Sequence, residues 1–356
     1  MKFLFVVQGE GRGHITQAMT LNDMLVKNGH EVVSVMVGKS NFRELPIFLT
    51  QKFGDKILRF DSPNFLPASK NKKTNIWFSI VYNLLKTGHY VKSILFIHRQ
   101  INKNKVDMVV NFYDLMAGLT YLFYPTKIPC VCVAHQYIFL HPDYRFPDEN
   151  KIELSMLKFF TRLTCVRASK LLALSTKKME NIPDRRIFVV PPLLRKQVFE
   201  VLITDGNYLH GYMLNDTYAE GIIRFQQEHP DVFLHFFWDR KGVEEETVLN
   251  DKLTFHRLND QLFLEYMAGC KAYATTAGFE SVCEAMYMGK PVLVVPTHIE
   301  QACNAFETSQ SGAGIVADDF DLKKLLEFIP HYQKKTDFRK WFQQAEEYIL
   351  RELETI

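Results

Sequence analysis

Two stretches of this 356-residue chain place chemically capable residue types in a usable order. The first is Gln8-Gly9-Glu10-Gly11-Arg12-Gly13-His14, between an apolar run and an amphipathic one. Gly11 and Gly13 line a strand-to-helix turn and leave His14 at its mouth. That is the carboxyl end of the first strand, the ligand edge of a parallel sheet. Backbone amides of such a turn can face an anion or a polar ligand. An imidazole near its ordinary pKa of about 6.5 can take a proton at neutral pH, although a lone histidine is also a common structural residue. A dinucleotide fingerprint is excluded, because its third glycine would fall on His14 or Thr16 and the second strand ends in Val37-Gly38 without an acid. His30 sits at the opposite edge and reads as structural.

A histidine base is usually oriented by a carboxylate. Asp114 follows an apolar strand and precedes a helix, on the same edge as His14. The structural alternative for it is a helix N-cap, which aspartate favours. His135 and Gln136, after the fifth strand, form a third polar pair there, suited to contact a ligand bound at that edge.

The second stretch spans residues 276–304. It reads as a strand end at Thr276, a small-residue turn at Ala277-Gly278, a helix, a Gly289-Lys290-Pro291 stop, a buried strand, and a new helix. Gly278 lets a ligand approach the backbone, Ser281 supplies a hydroxyl, and the helix start offers amides and positive dipole to a diphosphate. Glu284 can accept from two vicinal hydroxyls, as on a ribose. Glu300 and Gln301 open the following helix toward the same cleft. Taken singly, each of these glutamates could be no more than a solvated helix face.

The elements that must position these residues follow from hydrophobic periodicity. Strands are expected at 2–7, 31–37, 56–60, 106–112, 130–134, 170–174 and 187–190, with helices between them, the pattern of a parallel sheet wrapped by helices. Pro191-Pro192 breaks the series. A second series follows, with strands at 199–204, 232–237, 253–256, 272–275, 291–295 and 314–316. The fold class is therefore α/β, with two Rossmann-like units: 1–192, 193–332, and a C-terminal helix at 333–356 free to pack back on the first unit. Hydrophobic residues make up 47% and charged residues 23%, enough for two cores. A net charge of +3 gives no argument for nucleic acid. Six cysteines scattered through apolar runs read as buried thiols in a reducing, cytoplasmic setting. The five-residue apolar run 3–7 is too short for a secretory core of about 7–15 residues.

The motif Gly-x-x-Ser-x-x-Glu-Ala (278–285), Gly289-x-Pro291, a strand ending in Pro296, Glu300-Gln301 and Asn304-Ala305 resembles the nucleotide-sugar signature of family 1 UDP-glycosyltransferases. It is similar as well to that of the family 28 N-acetylglucosaminyltransferase acting on a peptidoglycan lipid intermediate. Gly13-His14 with Ala18, Leu21, Leu25 and Gly29-His30-Glu31-Val32 resembles the start of the same two-domain GT-B enzymes. The resemblance implies a general base at His14, an orienting carboxylate at Asp114, and diphosphate contacts at Gly278 and Ser281. It further implies ribose at Glu284 and donor-sugar hydroxyls at Glu300 and Gln301. By the same likeness, Asp205-Gly206-Asn207 would end the first strand of the second unit as a phosphate turn, and Arg257 and Leu258 would read the base through backbone. No divalent metal or other cofactor is implied. Thr276 departs from the pattern: family 1 often has histidine there, and retaining relatives have a glutamate eight positions before the one matching Glu284. The departure argues for inversion.

From Lys39 to Lys105 there are thirteen Lys/Arg against three acids. Within this stretch, residues 71–105 add Phe78 and, at helical spacing, Trp77, Ile80, Val81, Leu84 and Leu85. Such a segment fits either a helix packed on the sheet with a solvated basic side or an anionic membrane surface. The expectation is thus a UDP-sugar-dependent glycosyltransferase for a hydroxyl acceptor, preferably lipid-linked, at the inner face of the cytoplasmic membrane. A non-hydrolysing UDP-sugar 2-epimerase and a catalytically silent nucleotide-sugar-binding subunit are the rivals.

Overall fold

The computed structural model describes residues 1–39, 45–63, 87–214, 216–238, 244–276, 278–334 and 336–356. The aromatic part of the basic segment, with Trp77 and its neighbours, lies outside them.

In the first half, β1 (Lys2–Val7), β2 (Glu31–Lys39), β3 (Ile57–Asp61), β4 (Met108–Phe112), β5 (Cys130–Ala134), β6 (Lys170–Leu174) and β7 (Ile187–Val190) form one sheet. Its order is β3-β2-β1-β4-β5-β6-β7 and every pairing is parallel. β1, β4 and β5 are apolar and almost wholly buried, as strands covered by helices on both faces must be. The covering helices are α1 (Arg12–Lys27), α2 (Ile47–Phe53), α3 (Thr87–Lys103), α4 (Leu115–Phe123) and α5 (Lys151–Thr164). In α3, Tyr90, Ile94, Ile97 and Ile101 are buried while Lys92, Arg99 and Lys103 are exposed. This described part of the basic segment is a packed helix with a solvated cationic side. No helix among the described residues is long and apolar enough to cross a membrane.

After the short helix α6 (Gln197–Glu200) comes a second sheet of β8 (Tyr208–Met213), β9 (Phe233–Trp238), β10 (Glu246–Asn250), β11 (Leu253–Arg257), β12 (Ala272–Thr275), β13 (Val292–Val294) and β14 (Gly314–Val316). The order is β10-β11-β9-β8-β12-β13-β14, with only β10 antiparallel. Its helices are α7 (Ala219–Glu228), α8 (Asp260–Gly269), α9 (Phe279–Met288), α10 (Ile299–Gln310) and α11 (Leu322–Phe328). In both sheets the strand order reverses at the centre, between β1 and β4 and between β8 and β12. Such a reversal opens a crevice at the carboxyl ends, where ligands of doubly wound sheets sit.

Three expectations change. Residues 199–204 are not a strand: Phe199 lies in α6, Lys196 pairs with Glu200 at 2.8 Å, and Leu202 is 81% exposed. The first strand of this half is β8, where His210 and Gly211 interrupt the apolar pattern yet are buried. β10 was not expected, because its side chains are mostly exposed and it pairs along one edge only. The C-terminal segment is two helices, α12 (Asp337–Phe342) and α13 (Ala345–Glu354). They cross back onto the first half through Trp341 Nε1 to Ser175 O at 2.8 Å, Lys170 Nζ to Glu352 Oε2 at 3.0 Å and Lys27 Nζ to Glu346 at 2.9 Å. One apolar cluster runs from the first sheet into α9 and α12.

Candidate active site

β1 ends at Val7, and α1 starts after Gly11, which is extended (φ −102°, ψ 134°) and offers no side-chain cap. His14 therefore sits in the first turn of α1, 7% exposed, with its ring stacked on Tyr113 at 5.6 Å between centroids. Its Nδ1 lies 3.4 Å from Gln17 Oε1, one helical turn on. Burial lowers its pKa from 6.5 to about 4, partly opposed by the Gln17 hydrogen bond. The imidazole is thus neutral at pH 7, with one ring nitrogen open to a proton.

Asp114 does not orient it. This side chain is fully buried and caps α4: Oδ1 accepts from Met116 N at 2.7 Å, and Ser62 Oγ donates to Oδ2 at 2.8 Å. Burial raises its pKa to about 6. The structural alternative thus describes Asp114, and the polar partner of His14 is Gln17.

Facing this turn is the start of α9, at the β8/β12 reversal. Gly278 is its N-cap, extended at φ −68° and ψ 129°, and brings no side chain to the first-turn amides; that of Glu280 is met by its own carboxylate. Ser281 Oγ donates to Gly278 O at 3.3 Å. Thr276 is buried just past the end of β12. Glu280, in the first turn, reaches across the crevice and accepts a hydrogen bond from Gln17 Nε2. A Cβ on Gly13 would fall on the Glu280 carboxylate, the far end of a flexible side chain, which would have to shift. Gly13→Ala is expected to displace Glu280 from Gln17 at a cost of less than about 1 kcal/mol in stability. Urea unfolding checks it; a much larger loss would show that the carboxylate cannot move.

Further contacts close the crevice. His135 stacks on Phe279 at 3.7 Å and hydrogen-bonds Leu174 O through Nδ1 at 2.9 Å. Gln136 Nε2 donates to Glu300 Oε1 at 2.8 Å. Burial raises the pKa of both Glu280 and Glu300 to about 7. Gln301 Oε1 accepts from Thr297 N at 2.8 Å and Thr297 Oγ1 at 2.7 Å, bracing the loop before α10.

Glu284 is expected to accept from the vicinal hydroxyls of a ribose. Instead it is 2% exposed and bound two-pronged by Arg195, Nε to Oε1 at 2.6 Å and Nη2 to Oε2 at 3.0 Å. Arg195 follows the buried linker 191–194 and also donates to Asp260 O at 3.2 Å. Gly206 needs a correction of place. It precedes β8, so it lies at the amino edge, away from the crevice, where its amide donates to Gly269 O at 2.8 Å. A side chain there would strike that carbonyl. The amides of Arg257 and Leu258 donate to Glu245 O at 2.8 Å and Trp238 O at 3.0 Å, so only carbonyls of this segment could read a base. Gln17, Glu280 and Arg195 were missed. Gln17 was within reach, being three residues from His14 on one helix face. The other two carried no local signal.

The family model of glycosyl transferase family 1 matches residues 1–332. The chain belongs to glycosyl transferase family 1. Its two facing sheets are the GT-B fold of MurG from Acinetobacter baumannii, 16% identical, with a TM-score of 0.58 over 100% of this chain and 99% of that one. Equally similar is UGT2 of Phytolacca americana complexed with UDP-2-fluoro-glucose and pterostilbene, 12% identical, with a TM-score of 0.61 over 97% and 94%. At such identities the likeness is one of fold. By sequence, this family 1 chain is 26% identical over 127 residues, 35% of its length, to a Caenorhabditis elegans protein carrying the name UDP-glucuronosyltransferase ugt-48. It spans about a quarter of that protein's length (24%).

Proposed function

We propose that the chain transfers a hexose or N-acetylhexosamine from a UDP-sugar to an acceptor hydroxyl, with inversion. One observation carries this reading: His14 and the amino end of α9 meet across a single crevice, through the Gln17–Glu280 contact. In the step, His14 takes the proton of the acceptor hydroxyl while its oxygen bonds the anomeric carbon. The bond from that carbon to the diphosphate breaks, and UDP leaves with the electron pair. The start of α9, with Gly278 and Ser281, supports the diphosphate charge without a metal. Glu300 and Gln301 hold the sugar, and the ribose shares Glu284 with Arg195. Residues 1–192 would bind the acceptor and 193–332 the donor. The basic segment 70–105, with exposed Lys92, Arg99 and Lys103 in its described part, favours a lipid-linked acceptor at an anionic cytoplasmic surface.

The test offers UDP-glucose, UDP-galactose, UDP-N-acetylglucosamine and UDP-glucuronate with soluble and with lipid-linked hydroxyl acceptors. UDP release is followed, products are weighed by mass spectrometry, and anomeric configuration is read by NMR. A β-linked product on a lipid acceptor is expected. A 2-epimer released without acceptor would make the chain an epimerase, and donor binding without turnover a silent subunit.

A further inference from the structure

Gln17 sits between two groups that together leave its amide only one orientation. An ionised carboxylate only accepts hydrogen bonds, so the Gln17 atom against Glu280 must be its NH2 group. Its carbonyl oxygen then faces His14 Nδ1 at 3.4 Å, and a carbonyl accepts only. The hydrogen on the neutral imidazole must therefore be on Nδ1. We propose, on the reading of His14 as the base, that Gln17 and Glu280 are positioning residues that hold His14 in its Nδ1–H tautomer and leave Nε2 as the lone pair that takes the acceptor proton. The wrong tautomer would leave the imidazole in place with its lone pair turned away from the reaction.

The arrangement joins the two halves, since residues 263 apart in sequence set one ring's protonation. Donor bound at the start of α9 would lie beside the group that readies the base. Burial, together with the nearby carboxylates of Glu284 and Glu300, brings Glu280 to about 7. Of the groups facing it, Glu284 on the same helix is tied to Arg195, Glu300 on α10 to Gln136, and His14 on α1 stays neutral to about pH 4. Below neutrality, protonated Glu280 becomes a donor to the Gln17 carbonyl. The amide turns, its NH2 faces Nδ1, and the proton moves to Nε2. Turnover should therefore rise with pH through about 7, although the base titrates far lower.

Ring ¹⁵N NMR of His14 in the full chain, with kcat measured from pH 5 to 9, tests this. The wild type is expected to show the Nδ1–H tautomer at pH 8 and a growing Nε2–H fraction at pH 6. Glu280→Gln should lose the limb near pH 7 and turn over below the wild type at pH 8, because an amide can donate as well as accept and no longer fixes Gln17. Gln17→Leu should lower kcat about tenfold to a hundredfold with UDP affinity kept, and Gln17→Glu should not rescue it above neutrality, where two carboxylates would repel. In Glu300→Gln the limb should persist. An Nε2–H ring at pH 8, or an unchanged limb in Glu280→Gln, overturns the proposal. His14→Ala with full activity would instead overturn the assignment of the base, whatever the ring's tautomer.

Discussion

Replacing His14 by alanine is expected to lower kcat by about 10²–10⁴-fold, the usual worth of a positioned general base. The affinity for UDP should stay within about threefold, because the proposed diphosphate contacts lie on α9 and not on α1. Stability should also change little. His14 contributes a ring stacked on Tyr113 and one long hydrogen bond to Gln17, and Gln17 keeps Glu280 as a partner. Steady-state kinetics with donor titration separates these effects. Turnover within threefold of wild type would remove His14 from the chemistry. Asp114→Ala makes the contrast: it should act through stability, by loss of a buried N-cap worth about 1 kcal/mol and of the Ser62 contact. An Asp114→Ala variant that folds normally yet loses turnover as completely as His14→Ala would restore the aspartate to the site.

Arg195→Ala is expected to destabilise the protein by about 3–5 kcal/mol, the cost of leaving a buried charge without its partner. Glu284 is nearly inaccessible, and both its oxygens are held by the Arg195 guanidinium. Domains carry only about 5–15 kcal/mol in total, so the single change would consume a large share. Glu284→Ala should cost less than Arg195→Ala, because Arg195 keeps Asp260 O at 3.2 Å and the Asp260 carboxylate at 3.9 Å. The double variant Arg195→Met/Glu284→Met should cost clearly less than the two single losses together, since it removes both charges. Urea unfolding of the three variants decides this. Single variants within 1 kcal/mol of wild type would mean that water reaches the pair and screens it. The same arithmetic governs any ribose assignment: loss of UDP binding in Glu284→Ala has to be read at matched stability, and Glu284→Gln is the gentler probe.

The first sheet was legible strand by strand because its signal is local. Short, mainly apolar runs such as those of β1, β4 and β5, bounded by polar and turn residues, have the length and composition of buried strands. β8 escaped because His210 and Gly211 look polar or weak in a strand and become compatible only when neighbours enclose them. β10 escaped because it has scarcely any buried face of its own. In the site, the glycine turn bearing His14 and the start of α9 were readable from residue types at short spacing.

Sequence alone determined that two ligand-edge loops exist, one with an imidazole and one with a helix start preceded by a glycine, because turns and helix ends depend on a few adjacent residues. Only the tertiary structure decided which atoms meet. Asp114 is spent on its own helix and Glu284 on Arg195, 89 residues away. Gln17 is turned toward His14 by Glu280, 263 residues away. Hydrogen bonds and ion pairs act over about 3 Å and carry no trace along the chain, so Gln17, although one helical turn from His14, could not be seen to face Glu280 until the two halves were brought face to face.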